Sequence, residues 1–261
     1  MVQFNKHRGE KRAMDYTDIN AQTIDRWVDE GWEWGKPIDH ATYQRAVKGD
    51  WQMVLTPNLP VPTSWFPELR GKQVLGLAAG GGQQMPIFAA LGAKCTVLDY
   101  SSRQLDSERL VAQREHYEMN IVRADMTKPL PFEDEFFDLI FHPVSNCYIR
   151  EVLPVWNECA RVLKQGGLLM AGLDNGINFL FDDDESRITG SLPFDPLKNP
   201  EQMACLQKAD CGVQFSHTIH EQIAGQIHAG LTLLDVYEDT NGGGFLRDHG
   251  VPTFWATLAR K

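Results

Sequence analysis

The sequence predicts an α/β fold: a mostly parallel sheet of seven strands with helices on both faces and an antiparallel C-terminal hairpin. Three observations predict it. Short apolar runs alternate with helix-length segments from Gly71 to Asp174. The first of these runs leads straight into Gly80, Gly81 and Gly82 and then into a helix. The last two, LTLLDVYED and TFWATLARK, are joined by a loop containing NGGG rather than by a helix, which suits a hairpin at a sheet edge. An N-terminal helical cap and an insertion after strand five complete the expected architecture.

Residues 1–70 form the expected cap and connector. They are polar and hold Trp27, Trp32, Trp34, Trp51 and Trp65, five of the seven tryptophans. Ile24, Trp27 and Val28 fall at helical spacing within a segment from Asn20 to Glu30. Asp39 suits the N-cap of a second helix through Val47, stopped by Gly49. Pro57, Pro60, Pro62 and Pro67 then stiffen an extended connector.

The second unit, 71–261, begins with the strand KQVLGL. MPIFAALGA follows as a helix, CTVLDYS as a strand and SRQLDSERLVAQREHY as a polar helix. NIVRADM and FFDLIFHP are the third and fourth strands. REVLPVWNECARVLKQGG reads as a helix ending at paired glycines, and LLMAGLD as strand five. Strands joined through helices imply right-handed parallel crossovers. Residues 175–215 have weak periodicity and read as an insertion that helps wall a substrate pocket. HTIHEQIAGQIHAG is a helix closed by Gly230.

Composition narrows the function. With 25 Lys and Arg against 35 Asp and Glu, the net charge is −10. That balance disfavours nucleic acid and anionic membranes as partners. No apolar run approaches the roughly 20 residues that span a bilayer, and MVQFNKHRGEKRAMDYTD lacks the apolar core of a secretory signal. Cys95, Cys147, Cys159, Cys205 and Cys211 form no CxxC pair, so a reduced, cytoplasmic protein is expected. A monomer or homodimer is expected.

The chemistry centres on VLGLAAGGGQQ, Val74 to Gln84. Glycines at the carboxyl end of the first strand let the backbone take positive φ and let a ligand approach without a Cβ in the way. The helix after them offers free N–H groups. The dinucleotide pattern GxGxxG fails, because its third glycine falls on Met85 when counted from Gly80 and its second on Ala78 when counted from Gly76. A phosphate-binding GK[ST] is absent. Asp99 closes the second strand 19 residues after Gly80, where a carboxylate can accept both ribose hydroxyl protons or else cap the next helix, a role open also to Ser101 and Ser102. Asp125 and Met126 follow the third strand. They suit an adenine amino group and ring, or a plain loop acid beside a core methionine.

This order of pieces resembles the class I S-adenosylmethionine-dependent methyltransferases, in particular the small-molecule group around ubiquinone and menaquinone biosynthesis. LPFEDEFFDLIF, Leu130 to Phe141, and RVLKQGGLLMAG, Arg161 to Gly172, carry the likeness further. The resemblance implies a Rossmann-like sheet, S-adenosylmethionine as cofactor with S-adenosylhomocysteine as product, and a small-molecule acceptor. It places Gly80 and Gly82 beneath the methionine arm, Asp99 on the ribose, Asp125 and Met126 on the adenine, and His142 beside the arm. Ala78 and Tyr100 are expected in the same cofactor site. The family's acid two residues before the end of strand one is Gly76 here, and its first glycine is Ala78, so Gln83 and Gln84 are the candidates to hold the cofactor's amino group.

Methyl transfer from a sulfonium releases a neutral thioether, so positioning supplies most of the rate, and a base matters only for a protonated nucleophile. His142 and Tyr148 are the catalytic candidates; His142 reads also as a strand-end residue before Pro143. Trp34, Trp51, Asn146 and Tyr148 are the expected substrate contacts, with the tryptophans divided between core and pocket. Cys147 has no basic sequence neighbour to activate it. The run Asp182 to Glu185 and His217, His220 and His228 lack a metal-ligand pattern, so no metal is expected. The main alternative is a protein of this fold that holds the cofactor without transferring its methyl group; a nucleotide-dependent oxidoreductase suits the glycine pattern less well.

Overall fold

Seven strands form one sheet in the order β3-β2-β1-β4-β5-β7-β6. A computed structural model describes residues 15–261; the first fourteen, on which much of the leader reading rests, lie outside the described residues. The central strands β1 (Gln73–Leu77), β2 (Lys94–Asp99), β3 (Met119–Arg123), β4 (Phe137–His142) and β5 (Leu163–Asp174) pair in parallel. β6 (Thr232–Asp239) and β7 (Phe254–Arg260) complete the sheet antiparallel, with β7 between β5 and β6. Strands covered on both faces must be apolar throughout. Val74, Leu75 and Leu77 of β1 are fully buried accordingly.

Two apolar layers sandwich the sheet. One holds Leu75, Leu77 and Ile140 against Val155, Trp156 and Cys159 of α5 (Leu153–Val162). The other holds Val74 and Phe141 against Met85 and Phe88 of α3 (Gln84–Ala90), Leu105 of α4 (Ser102–Glu115), and Trp65. In the connector, Trp65 donates its indole N–H to Asp235, and Asp239 accepts the N–H groups of Asn58 and Leu59, so the proline-rich segment is stitched to edge strand β6.

The N-terminal helix α1 is Tyr16–Asp29, four residues longer at its start than the periodicity predicts, because Asp15 and Asp18 form a reciprocal capping box there. Asp39 caps α2 (His40–Val47) as expected, accepting from the Thr42 N–H. The segment 163–167 departs from expectation. It is the first part of β5 rather than the end of a helix. Gly166 takes φ +76°, and its N–H bonds the carbonyl of Lys261 while Lys261 N–H bonds Gly167, so the chain's last residue holds this stretch extended. The segment after His217 also differs. A π-turn over His220–Ala224 precedes the short α7 (Gly225–His228), and the Trp156 indole takes the Glu221 carbonyl. Within 175–215 the structure forms α6 (Pro200–Ala209). Asn20 of α1 binds this region to the turn that follows β4. Its side chain exchanges hydrogen bonds with Val213 N–H and C=O and also donates to the Tyr148 carbonyl.

Candidate functional site

A cleft of about 380 Å³ opens at the carboxyl ends of β1, β2, β4 and β5. Of the sequence-predicted cofactor residues, Ala78, Gly80, Gln83, Gln84, Asp99, Tyr100, Asp125 and Met126 all line it. Of the predicted substrate residues, Trp34 and Tyr148 line it.

The glycine turn is built by the protein for the protein. Gly80 N–H donates to Asp99 Oδ2 at 3.1 Å, Gly81 N–H to the Gln104 carbonyl at 3.0 Å, and Gly82 N–H to Glu108 Oε1 at 2.8 Å. The N–H groups of the three glycines are therefore spent within the protein; the free N–H groups expected from the sequence are those of the helix that follows, α3. What Gly80 allows is close packing of the turn on Gln104 and Asp99. A Cβ on Gly80 would lie 2.6 Å from Gln104 Cβ and 2.9 Å from Asp99 Oδ2. Ala78 takes φ +47°, the left-handed conformation that a glycine would adopt without strain.

Asp99 ends β2 at the cleft wall. Its Oδ1 accepts the Ser101 N–H at 2.9 Å. Removal from water pushes its carboxyl up to about 6, opposed by the N–H groups of Ser101, Gly80 and Tyr100. Ser101, not Asp99, caps α4, accepting from the Gln104 N–H at 3.1 Å. Asp99 thus keeps further lone pairs for a ligand. Tyr100 is braced from outside, its hydroxyl on Asp18 at 2.6 Å. Asp125 accepts the Thr127 N–H at 2.8 Å beside buried Met126. Gln83 spends its amide N–H groups on the carbonyls of Glu33 and Lys36, tying the turn that carries Trp34 to the glycine turn. Gln84 is only 6% exposed, lines the cleft, and has no side-chain partner among the described residues.

Four predicted site residues lie elsewhere. His142 is fully buried beneath the cleft, with Nδ1 2.8 Å from the Leu77 carbonyl, Nε2 2.8 Å from Asn146 Oδ1, and its ring edge-on to Trp156. Burial holds its pKa below the usual imidazole value, so it is a core histidine rather than a base or a cofactor contact. Asn146 is also fully buried, bonded to His142 and Gln222, and does not reach the cleft. Trp51 packs edge-on against Phe66, with ring centres 4.9 Å apart, in the layer beneath the connector. Gly82 faces Pro37 and the Ser107 carbonyl rather than the cleft.

Tyr148 lines the cleft beside Trp27, and its hydroxyl has no hydrogen-bond partner among the described residues. Burial raises its pKa well above the usual phenol range, so it offers a neutral O–H. Residues that the sequence reading missed complete the wall: Gln104, Asp174, Phe179 and Phe254. Asp174 had a signal, since it closes β5 as Asp99 closes β2. Gln104 had none beyond its place one turn into α4. Its Oε1 is buried without a donor.

Glu108 lies behind the turn. Its Oε1 accepts from Gly82 while Oε2 has no partner. Burial, reinforced by the charge of Asp99, pushes its carboxyl up from 4.5 to about 8. The folded protein then holds a proton that the unfolded chain releases, so this group makes stability fall as pH rises from about 4.5 through about 8. Glu108→Gln keeps the acceptor and removes the titration. The variant is expected to exceed the wild type in stability at pH 8.5 and to match it near pH 5, read by denaturant unfolding at both values. No relative gain at pH 8.5 would contradict the assignment.

No group of three or more His, Cys, Asp or Glu side chains is placed to hold a metal among the described residues, and no helix there is long and apolar enough to cross a membrane.

Comparison with known proteins bears on the cleft directly. Residues 75–171, the segment from β1 to β5, match a family described as a methyltransferase domain. Over 249 residues the chain is 39% identical to an uncharacterized methyltransferase, YbaJ, of Bacillus subtilis (strain 168), covering 93% of this chain and 97% of that one. Over 101 residues it is 35% identical to a demethylmenaquinone methyltransferase of Clavibacter sepedonicus, covering 38% and 40% of the two chains. Among solved structures, an S-adenosylmethionine-dependent methyltransferase from Mesorhizobium loti superposes with a TM-score of 0.60 at 20% identity, over 76% of this chain and 94% of the other.

Proposed function

Since the chain belongs to the class I S-adenosylmethionine-dependent methyltransferases, we propose that it methylates a small-molecule acceptor enclosed between the cofactor and the N-terminal cap. The cofactor is S-adenosylmethionine. When bound, it would supply a methyl group on a sulfonium, with a neutral thioether as the leaving group, and Asp99, Asp125, Met126 and Gln84 would hold it.

The observation that carries this reading is the matched polarity of the inner cleft. The carboxylates of Asp99 and Asp125 line it as hydrogen-bond acceptors, which suit a ligand rich in hydroxyl and amino donors. In this reading Asp99 holds the ribose, Asp125 and Met126 flank the adenine, and Gly80 leaves room for the arm. An acid at position 76 would have to displace the Met85 side chain, whose Sδ lies 2.5 Å from where a Cβ on Gly76 would stand. The buried, partnerless amide of Gln84 takes its place as the group for the amino-acid end. Of the expected cap and connector, 1–70, the described residues 15–70 act as a cap, and 175–215 as an insertion that closes the acceptor side, where Trp34 and Phe179 exclude water and Tyr148 orients the acceptor through its free hydroxyl. With His142 walled off, the rate comes from holding acceptor and methyl carbon in line.

Thermal unfolding with added ligands tests the reading, because a ligand that binds only the native state raises the transition temperature. S-adenosylmethionine and S-adenosylhomocysteine are expected to raise it, and NAD and NADP to leave it unchanged. Stabilisation by NAD alone would overturn the proposal.

A further inference from the structure

The cleft's charge is one-sided. Among the described residues that line it, Asp99, Asp125 and Asp174 are acidic, and none is Lys, Arg or His. Asp99 and Asp125 belong to the cofactor end. Asp174 stands apart from them at the end of β5, among Tyr148, Phe179 and Phe254.

Asp174 is built into a fixed position. It is 9% exposed, its Oδ1 accepts the Gly176 N–H at 2.7 Å, and the Asn178 side chain, which also lines the cleft, favours its charged form. Its neighbour in the antiparallel register is Phe254 of β7. Gln222 of the π-turn donates to its main-chain carbonyl. The titratable groups whose proton affinity its charge raises are Cys147 and Tyr148. Burial keeps both protonated, so neither supplies a positive charge. A carboxylate in such surroundings is costly unless a cation pairs with it.

We infer that the methyl acceptor is an amine carried on an apolar body, and that Asp174 selects it by pairing with its ammonium. This inference rests on the methyltransferase reading above. A carboxylate or phosphate on the acceptor would face Asp174 with like charge and no compensating cation among the described residues that line the cleft. The apolar lining from Phe179, Phe254, Ile24 and Val54 suits the body of such a molecule. An ammonium has no free electron pair. Asp174 is the group placed to take its proton, becoming the neutral acid and leaving a neutral amine, and the proton passes to water when the product leaves. Removal from water, opposed by hydrogen bonding from Gly176 and Asn178, lifts the Asp174 carboxyl to about 6, which makes it a better proton acceptor than an exposed aspartate.

The test uses matched triads of ligands, each presenting amine, alcohol or carboxylate on the same phenyl, indolyl, cyclohexyl or alkyl body. Binding to the full chain is measured by calorimetry in saturating S-adenosylhomocysteine. The amine is expected to lead its triad, exceeding the carboxylate by on the order of ten- to a hundredfold. Asp174→Asn keeps an acceptor for Gly176, so it is expected to erase that preference while leaving S-adenosylhomocysteine affinity unchanged. A carboxylate that binds as well as its amine, amines that bind in no triad, or an unchanged preference in the variant would overturn the inference. Failure of S-adenosylhomocysteine itself to bind the wild type would instead overturn the cofactor reading on which it rests.

Discussion

Asp99→Ala is expected to weaken S-adenosylhomocysteine binding by roughly 1–3 kcal/mol, or about 5- to 150-fold in Kd. Two losses add. The ligand's hydroxyl groups lose a charged acceptor, and Gly80 and Ser101 lose the carboxylate that fixes their N–H groups. The pH dependence separates these losses. With the wild-type carboxyl raised to about 6, the anion predominates at pH 7.5 and the acid at pH 5. Protonation removes acceptor capacity, so wild-type affinity is expected to fall as pH drops through about 6, whereas Asp99→Ala shows no such step. Calorimetric titration at both values measures it. Equal affinities for the two proteins at pH 7.5 would place the ribose elsewhere.

Gly81→Ala is expected to have the other large effect, although Gly81 does not itself line the cleft. The residue sits at φ +103°, and a Cβ there would lie 2.4 Å from the Trp34 carbonyl oxygen and 2.8 Å from Gln104 Oε1. Two costs coincide: backbone strain of order 1–3 kcal/mol, and displacement of the turn that carries Trp34 across the cleft. Gly71→Ala is the control. Gly71 has φ +75° but open space where a Cβ would lie, so that variant meets only the backbone cost. Denaturant unfolding is expected to show Gly81→Ala as the less stable of the two. Only Gly81→Ala is expected to lose cofactor affinity as well. Equal behaviour of the two variants would show that Trp34 and the glycine turn do not depend on close contact.

The parallel half of the sheet was legible because its central strands are largely apolar and because the strands end on residues with a reason to be there. Leu77 runs into the glycines, and Asp99 and the Arg123–Met126 loop close the next two strands. Each of those ends lies at the cleft. Side-chain direction was less legible. His142 closes a strand as Asp99 does, yet it turns inward onto the Leu77 carbonyl and Asn146, a partnership set by strands and loops distant in sequence. Trp34 and Trp51 look alike in sequence. The contacts that separate them are made by Gln83 and Gln104 for the Trp34 turn and by Phe66 for Trp51. The extended start of β5 depends on Lys261, almost a hundred residues onward, which no local pattern around Gly166 reports. The N–H groups of the glycine turn go to Asp99, Gln104 and Glu108, partners on β2 and α4 that the glycines themselves do not report.

The most direct measurement is a crystal structure of the chain grown with S-adenosylhomocysteine. The account predicts the ribose within hydrogen-bonding distance of Asp99, the adenine beside Met126, and the sulfur turned toward the side of the cleft that holds Tyr148 and Asp174. A ligand bound away from Asp99, or a cleft that stays closed to it at saturating concentration, would contradict the account.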